Sequence, residues 1–236
     1  MGEWYRDFFG PDYLKAYGPR NRREAPAEVA FIETALEMRT SGLYLDLCCG
    51  EGRHAVPLAG KGYRMVGVDL SPSLLAAAAR SACRSWPGCR FVRADAGKLP
   101  FRDLFDGVYC WFTSFGYSSS PFQDRAVLSE VRRVLRPGGI FLLEVLNHDF
   151  LVDHPREKKR ILGDGCYLIS EMEFCAVSGI ATTRKVIHYP SGMSKPYLLT
   201  TRIYRLGELE KMFLAAGLEP ITLLSRRPAE GRRGNS

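Results

Sequence analysis

Length, composition and charge exclude several classes of protein. The chain has 236 residues, 46% hydrophobic and 25% charged, so its folded core needs no disulfide or metal. No apolar run is long enough to cross a membrane, and residues 1–10 lack the pattern of a secretory signal, so we expect a cytoplasmic protein. The net charge of +7 lies in loop-like clusters, which favours solvated loops over a nucleic-acid partner.

The cysteine pattern argues against disulfides and metals. There are seven cysteines and four histidines, and no Cys-x-x-Cys pair occurs. An odd number of cysteines without metal-ligand spacing predicts reduced, mostly buried thiols. We therefore expect neither a disulfide framework nor a metal site.

Strands and helices alternate through residue 146. Residues 25–39 have helical spacing and belong to an N-terminal helical cap over 1–40. Short apolar strands are predicted at 43–47, 64–68, 90–93, 107–112 and 140–146. Helices between most of these strands predict an α/β fold over 41–146, with a Rossmann-like, doubly wound, mostly parallel sheet and helices on both faces.

The pattern changes after residue 146. Three strand-like runs, at 167–175, 180–189 and 197–204, have no helix between them. They predict a small antiparallel β insert over 147–205, laid across the active site. A last helix and strand of the core are expected in 206–224.

The turn after the first strand carries the strongest functional signal. Small residues at Cys48, Gly50 and Gly52 would let a ligand lie against the backbone where the strand leads into a helix. Asp46 lies near the carboxyl end of this strand, where open α/β sheets bind ligands. Asp69 ends the second strand, where its carboxylate could accept both hydroxyls of a ribose.

The same glycines are compatible with a dinucleotide site. Gly50-x-Gly52-x-x-Ala55 meets a relaxed dinucleotide fingerprint, with Asp69 at the spacing expected for a nicotinamide cofactor. Asp46 disfavours this alternative, because its carboxylate would face a pyrophosphate. A sulfonium amino acid with a free ammonium would be attracted to that charge.

Five ordered motifs resemble those of class I S-adenosylmethionine-dependent methyltransferases. They are residues 46–52, 68–71, 94–96, 105–108 and 135–139. The aromatic N-terminal segment, Arg53-His54 and residues 112–117 are similar to a bacterial and archaeal branch of small-molecule N-methyltransferases with a helical cap and a β insert after strand five. The resemblance implies S-adenosylmethionine as cofactor, S-adenosylhomocysteine as product, and a small-molecule acceptor with an amine or hydroxyl.

The resemblance also implies where the sulfur and sugar portions of the cofactor bind. Asp46 and Gly50 would lie beside the methionine moiety, with Cys48 occupying the first small position of the turn. Phe112 would lie under the methionine portion. Asp69 would hold the ribose.

The resemblance also implies which residues contact the adenine and which close the site. Leu70 and Ala96 would flank the adenine ring, and Asp95 would bond its amino group. Tyr13 or Tyr17 would close the site from above.

Proton removal is the one catalytic task in which a side chain would help. Methyl transfer from a sulfonium requires alignment of the acceptor and exclusion of water more than covalent catalysis. An amine or phenol acceptor must also lose a proton. His148, after strand five, and Tyr117, after strand four, are the candidate bases because they follow strands at the ligand-binding edge.

Two further alternatives remain besides the nicotinamide enzyme. The +7 charge motivates an RNA methyltransferase, although an appended RNA-binding module and an Asn-Pro-Pro-Tyr-like loop are absent. The Arg-, Pro- and Gly-rich residues 225–236 predict a disordered basic tail instead of the family's final antiparallel strand. That departure motivates a non-catalytic partner protein, and the unpaired sheet edge could be covered by a second copy in a homodimer.

Overall fold

A computed structural model describes residues 4–83, 88–118, 120–153, 156–162 and 165–224. The side chains of 19–22, 83, 153 and 156–160 lie outside this description. The predicted tail at 225–236 also lies outside it. Within the described residues, no helix combines the length and the apolar character needed to span a membrane.

Seven helices and nine strands are assigned in the described residues. The helices are α1 Trp4–Phe8, α2 Pro11–Ala35, α3 Ala55–Gly60, α4 Pro72–Cys83, α5 Pro121–Val134, α6 His148–Asp153 and α7 Leu206–Ala215. The strands are β1 Leu43–Leu47, β2 Arg64–Asp69, β3 Cys89–Arg93, β4 Phe105–Cys110, β5 Leu135–Leu143, β6 Arg156–Ile161, β7 Tyr167–Cys175, β8 Ile180–His188 and β9 Ser194–Arg202.

The first five strands form a parallel sheet in the order β3-β2-β1-β4-β5. Side chains of its central strands alternate between two helical layers. Leu45 and Val108 pack with Leu128 of α5 on one face. Tyr44 and Tyr109 pack with residues of α2 and α3 on the other. The predicted doubly wound α/β fold is confirmed.

Helix α2 is much longer than the predicted helix at 25–39, which was wrong at both ends. It begins at Pro11, in the favourable first position, and continues through Gly18 and Pro26, residues that ordinarily interrupt helices. The helix persists because both of its halves are buried. Aromatic side chains of its first turns pack against the β insert, and Ile32 packs against the parallel sheet.

Strands β4 and β5 begin earlier than the predicted strands at 107–112 and 140–146. Helix α5 passes directly into β5, and the pairing shifts register between Phe105 and Gly107 of β4. Residues 137–139, which precede the predicted strand at 140–146, therefore lie within an irregular part of β5.

The insert is a four-stranded antiparallel sheet in the order β6-β7-β8-β9, one strand more than predicted. The additional strand is β6, whose basic sequence suggests a loop because lysine and arginine have weak strand propensity. It forms a strand because β7 offers it an edge, with Arg156 opposite Met172 and Ile161 opposite Tyr167.

The last helix expected in 206–224 is present as α7, but the strand expected after it is not formed, since residues 218–224 adopt no regular structure. Within the described residues β5 is the edge of the parallel sheet, and no strand lies beyond it to pair with 218–224. Ile221 and Leu223 are consequently 83% and 70% exposed.

The loop after β4 contacts the end of β9 at Gly116. The Arg202 amide donates to the Gly116 carbonyl at 2.7 Å. Gly116 has φ of 90°, and a Cβ there would lie 2.2 Å from the Arg202 carbonyl oxygen. Gly116→Ala should therefore lower the free energy of unfolding by about 3 kcal/mol or more, as measured by urea denaturation.

Gly192→Ala is the matched control for this prediction. Gly192 has φ of 84°, but nothing lies within 4 Å of an added Cβ. Only the left-handed backbone would be penalised, at about 1 kcal/mol. Equal losses in the two variants would contradict the clash between Gly116 and Arg202.

Candidate active site

A cavity of about 670 Å³ lies between the carboxyl edge of the parallel sheet and helices α1 and α2. This is the edge where open α/β sheets bind ligands. The predicted site residues that line it are Tyr13, Asp46, Cys48, Gly50, Asp69, Leu70, Asp95, Ala96, Phe112 and Tyr117. Residues from the ends of four different strands are thus brought together.

Two predicted cofactor contacts lie behind the cavity wall. Gly52 has φ of 74°, and a Cβ there would meet the Phe91 ring at 3.0 Å, so its small size serves packing of the turn. Tyr17 stacks on Tyr13 with 5.1 Å between ring centroids, and its hydroxyl accepts a hydrogen bond from Lys185 Nζ at 2.5 Å. Neither residue lines the cavity.

His148 does not line the cavity either. The first turn of α6 directs its ring toward the insert, where it packs edge-on against Phe174 at 5.1 Å. Its Nδ1 lies 2.9 Å from Asp149 Oδ1, and its buried Nε2 has no hydrogen-bond partner in the described part of the chain. The geometry does not support the predicted base role of His148.

Asp69 ties the end of β2 to the turn after β1. Its Oδ2 accepts a hydrogen bond from the Gly50 amide and its Oδ1 one from the Ser71 amide, both at 2.8 Å. Burial raises the pKa of Asp69, and these hydrogen bonds oppose the shift. Each carboxylate oxygen has a further lone pair, so the side chain fits the two hydroxyls of a ribose.

Asp46 is 2% exposed and lines the cavity. Burial raises the pKa of Asp46 to about 7, although the nearby Tyr109 hydroxyl and Arg53 guanidinium oppose the shift. Its Oδ2 has no hydrogen-bond partner among the described residues. A buried carboxylate with an unsatisfied oxygen fits a cationic ligand group such as an ammonium.

The turn after β4 holds a strained aromatic residue at the cavity. Phe112 and Thr113 have φ of 64° and 58°, in the left-handed region that non-glycine residues rarely adopt. The Phe112 amide donates to Glu144 Oε2 at 2.6 Å, and the Arg53 guanidinium lies 4.5 Å from the centroid of the Phe112 ring. These contacts stabilise the strained conformation.

A buried ion network contacts this turn through Arg53. Glu28 Oε2 lies 2.7 Å from Arg53 Nη1 and 3.0 Å from His54 Nε2, and all three side chains are at most 7% exposed. Burial opposes ionisation of Glu28, but His54 and Arg53 lower its pKa to about 2. Burial lowers the pKa of His54 to about 4 despite Glu28. At neutral pH a neutral imidazole and a guanidinium therefore share one carboxylate.

Sequence reasoning missed a second buried carboxylate at the cavity. Asp124, in the first turn of α5, is 3% exposed. The Ser118 hydroxyl donates to its Oδ1 and the Tyr204 hydroxyl to its Oδ2, both at 2.6 Å. Asp124 thereby joins the loop after β4, helix α5 and the chain returning from the insert. Local motifs could not reveal it, because Tyr204 is 80 residues away.

Aromatic side chains line the part of the cavity near α1. Tyr117 packs against Trp4 and Phe9, with ring centroids 4.9 and 5.6 Å away, and Phe9 packs against Tyr13 at 5.1 Å. Burial raises the pKa of Tyr117 well above its usual value, so its hydroxyl stays protonated at neutral pH. No group of three or more potential metal ligands occurs among the described residues.

A known protein family matches the segment that contributes the strand ends to this cavity. Residues 45–139 match the family described as a methyltransferase domain. The matched residues form a methyltransferase domain within the chain. The parallel sheet and the strand-end carboxylates described above lie in or next to the matched residues.

Relatives of this methyltransferase domain include N-methyltransferases. A glycine/sarcosine N-methyltransferase from Parasynechococcus marenigrum is 31% identical over 156 residues, which cover 62% of this chain and 55% of that protein. The chain spans about half the length of the curated relatives it matches.

Solved structures show the same fold. The CcbJ methyltransferase from Streptomyces caelestis superposes with a TM-score of 0.71 and 21% identity, covering 84% of this chain and 80% of that one. CalS10, an amino pentose methyltransferase from Micromonospora echinaspora, has S-adenosylmethionine bound; its TM-score is 0.65 at 21% identity, with 84% of each chain covered. These superpositions show that the fold is shared.

Glu28→Gln tests the buried ion network. It should destabilise the methyltransferase domain by about 3 kcal/mol at neutral pH, because Arg53 would be left buried without its counter-charge. The pKa of Glu28 is about 2 when folded, against an ordinary value of 4.5, so its stabilising contribution is complete above pH 4.5 and is lost as the pH falls toward 2. The difference in the free energy of unfolding between wild type and variant should therefore decrease from pH 4.5 toward pH 2, as measured by urea denaturation.

The exposed pair of Glu33 with Lys61 provides the comparison. Glu33→Gln removes the same charge from the same helix, but its partner is 50% exposed. We expect Glu33→Gln to lower the free energy of unfolding by less than about 1 kcal/mol at neutral pH. A Glu28→Gln penalty that is the same at pH 7 and at pH 3 would contradict the assigned ionisation of Glu28.

Proposed function

We propose that this chain transfers a methyl group from S-adenosylmethionine to the amine of a small-molecule acceptor. The observation that carries the proposal is the pair of carboxylates, Asp46 and Asp69, at one cavity in a methyltransferase domain. S-adenosylmethionine supplies a methyl group on a positively charged sulfur that leaves as a neutral thioether. The protein must therefore bind, orient and exclude water more than it must activate a leaving group.

The residues at the strand ends suit the parts of the cofactor in turn. Asp46 would pair with the ammonium, and Asp69 would accept the ribose hydroxyls. Leu70 and Ala96 would flank the adenine, and Asp95 would receive its amino group. These five residues line one cavity, which supports a single extended binding mode along the sheet edge.

The aromatic lining suits the reacting end. Phe9, Tyr13, Phe112 and Tyr117 line the cavity with aromatic rings, which would help to exclude water from a bound ligand. Aromatic faces also stabilise cationic groups, both the sulfonium and a methylated ammonium. Helices α1 and α2 and the β insert would form the acceptor side, and residues 41–146 the cofactor side.

An amine acceptor suits this site better than a hydroxyl. A hydroxyl requires a base during the reaction, whereas an amine becomes nucleophilic once it has lost a proton to solvent. His148 does not reach the cavity, and the high pKa of Tyr117 keeps it a hydrogen-bond donor at neutral pH. The N-methyltransferase among the relatives supports the same choice.

Calorimetric titration of S-adenosylmethionine and S-adenosylhomocysteine into the protein tests the cofactor site. We expect micromolar binding of both ligands and no binding of NADH. Asp69→Ala should weaken binding about 100-fold, because two hydrogen bonds to a charged acceptor are lost. Circular dichroism must show that the variant is folded, since Asp69 also holds the Gly50 amide. Binding of NADH in place of the sulfur ligands would refute the proposal and favour a nicotinamide enzyme.

The pH dependence of binding tests Asp46 separately. The pKa of Asp46 in the ligand-free protein is about 7. A ligand ammonium favours the ionised carboxylate, so binding below pH 7 must release a proton from Asp46. Affinity for S-adenosylhomocysteine should rise up to tenfold per pH unit from pH 5 to 7 and then level off. Asp46→Asn should bind weakly with a flat profile. Calorimetry in two buffers of different ionisation enthalpy measures the released proton, and a flat wild-type profile would contradict this role of Asp46.

A further inference from the structure

The helical cap and the β insert meet at a carboxylate that neither the sequence motifs nor the proposed chemistry uses. Asp12 is the second residue of α2. Its Oδ1 accepts a hydrogen bond from the Tyr189 hydroxyl at 2.9 Å. Its Oδ2 accepts one from Lys195 Nζ at 2.7 Å and another from the Tyr197 hydroxyl. All three donors belong to the insert, on β9 or on the hairpin before it.

The Asp12 contact is charged and largely shielded. The Asp12 side chain is 20% exposed and that of Lys195 is 54% exposed. Burial alone would raise the pKa of Asp12, but the hydrogen bonds from Lys195, Tyr197 and Tyr189 outweigh it, and the pKa lies below its usual value. Its position in the first turn of α2 also favours a negative charge. Asp12 is therefore a carboxylate at neutral pH with three donors directed at it.

Further contacts between cap and insert surround this carboxylate. The Trp4 indole donates to the Thr200 carbonyl at 3.0 Å. The Phe8 ring packs against Tyr197 at 5.1 Å, and both α1 and α2 contribute to one apolar cluster with the insert. Asp12 is a charged centre within an otherwise mostly apolar contact.

The residues on either side of Asp12 line the cavity. Phe9, Gly10, Pro11 and Tyr13 all face it, and we call them the roof. The roof is also attached to the core, where the Ser71 hydroxyl donates to the Phe9 carbonyl at 2.7 Å and the Phe9 ring packs against Tyr117. Asp12 holds the same short segment to the insert, so the roof lies between two attachments.

We infer that Asp12 is a positioning residue that fastens the roof of the cavity to the β insert and so sets how long a bound ligand stays. This inference rests on the proposed function, because the ligand concerned is the one that occupies the cavity. A ligand leaves when the roof opens, and opening requires the Asp12 contacts to break. Asp12 itself touches neither ligand nor reacting atoms.

Asp12→Asn tests the inference by stopped-flow measurement of S-adenosylhomocysteine binding. The amide keeps the size of the side chain but loses the charge that attracts Lys195. The dissociation rate should increase about tenfold, whereas the association rate should change less than about threefold. Tyr189→Phe should raise the dissociation rate of the wild type more than that of Asp12→Asn, because the two side chains form one contact.

Glu33→Gln is the matched control on the same helix. Glu33 is 18% exposed and pairs with Lys61, which is 50% exposed, so its burial and charge resemble those of Asp12 and Lys195. It lies at the other end of α2, away from the insert. The variant should release the ligand at the wild-type rate. A wild-type dissociation rate in Asp12→Asn, or equal increases in both variants, would overturn the inference.

Hydrogen exchange separates failure of this inference from failure of the proposed function. If the wild type binds no S-adenosylhomocysteine, the proposed function fails. Faster exchange at the amides of residues 14–18 in Asp12→Asn, but not in Glu33→Gln, would then still support the fastening role. Unchanged exchange in both variants would overturn it, whatever the ligand result.

Discussion

The ion pair between Glu28 and Arg53 is the interaction on which the architecture around the cavity depends. A guanidinium that is at most 7% exposed is tolerated only with a counter-charge at hydrogen-bond distance. With Glu28 in place, Arg53 can lie over the Phe112 ring, and its charge partly opposes the effect of burial on the pKa of Asp46. Helix α2, the turn after β1 and the turn after β4 are thereby joined through one charge.

The parallel sheet and the carboxylates that line the cavity at its edge were predictable, because the carboxyl ends of parallel strands lie at one edge. Asp46 is the penultimate residue of β1, Asp69 ends β2 and Asp95 follows β3. Parallel strands place those ends along one edge. The periodicity of apolar residues was therefore sufficient to bring three distant carboxylates to one cavity. Gly52 does not line the cavity, and its small size serves close packing of the turn.

The rest of the site depends on pairings between distant segments, which leave no local pattern. Asp12 meets Tyr189 across 177 positions and Asp124 meets Tyr204 across 80. Strand β6 forms because β7 lies beside it, and 218–224 stays irregular because no strand does. His148 follows a strand at the expected edge, yet the first turn of α6 points its ring away from the cavity.

The length of α2 connects the roof of the cavity to the core of the parallel sheet. A helix of 25 residues is about 37 Å long, and this one carries the roof at one end, Glu28 in its second half and Ile32 in the core. A tilt of the whole helix would pull Glu28 away from Arg53. The roof can therefore rise at low cost only if α2 bends between the roof and Glu28. Gly18 lies in that interval and lacks the side chain that stiffens its neighbours. The size of ligand that fits beneath the roof would then depend on how far α2 bends at Gly18.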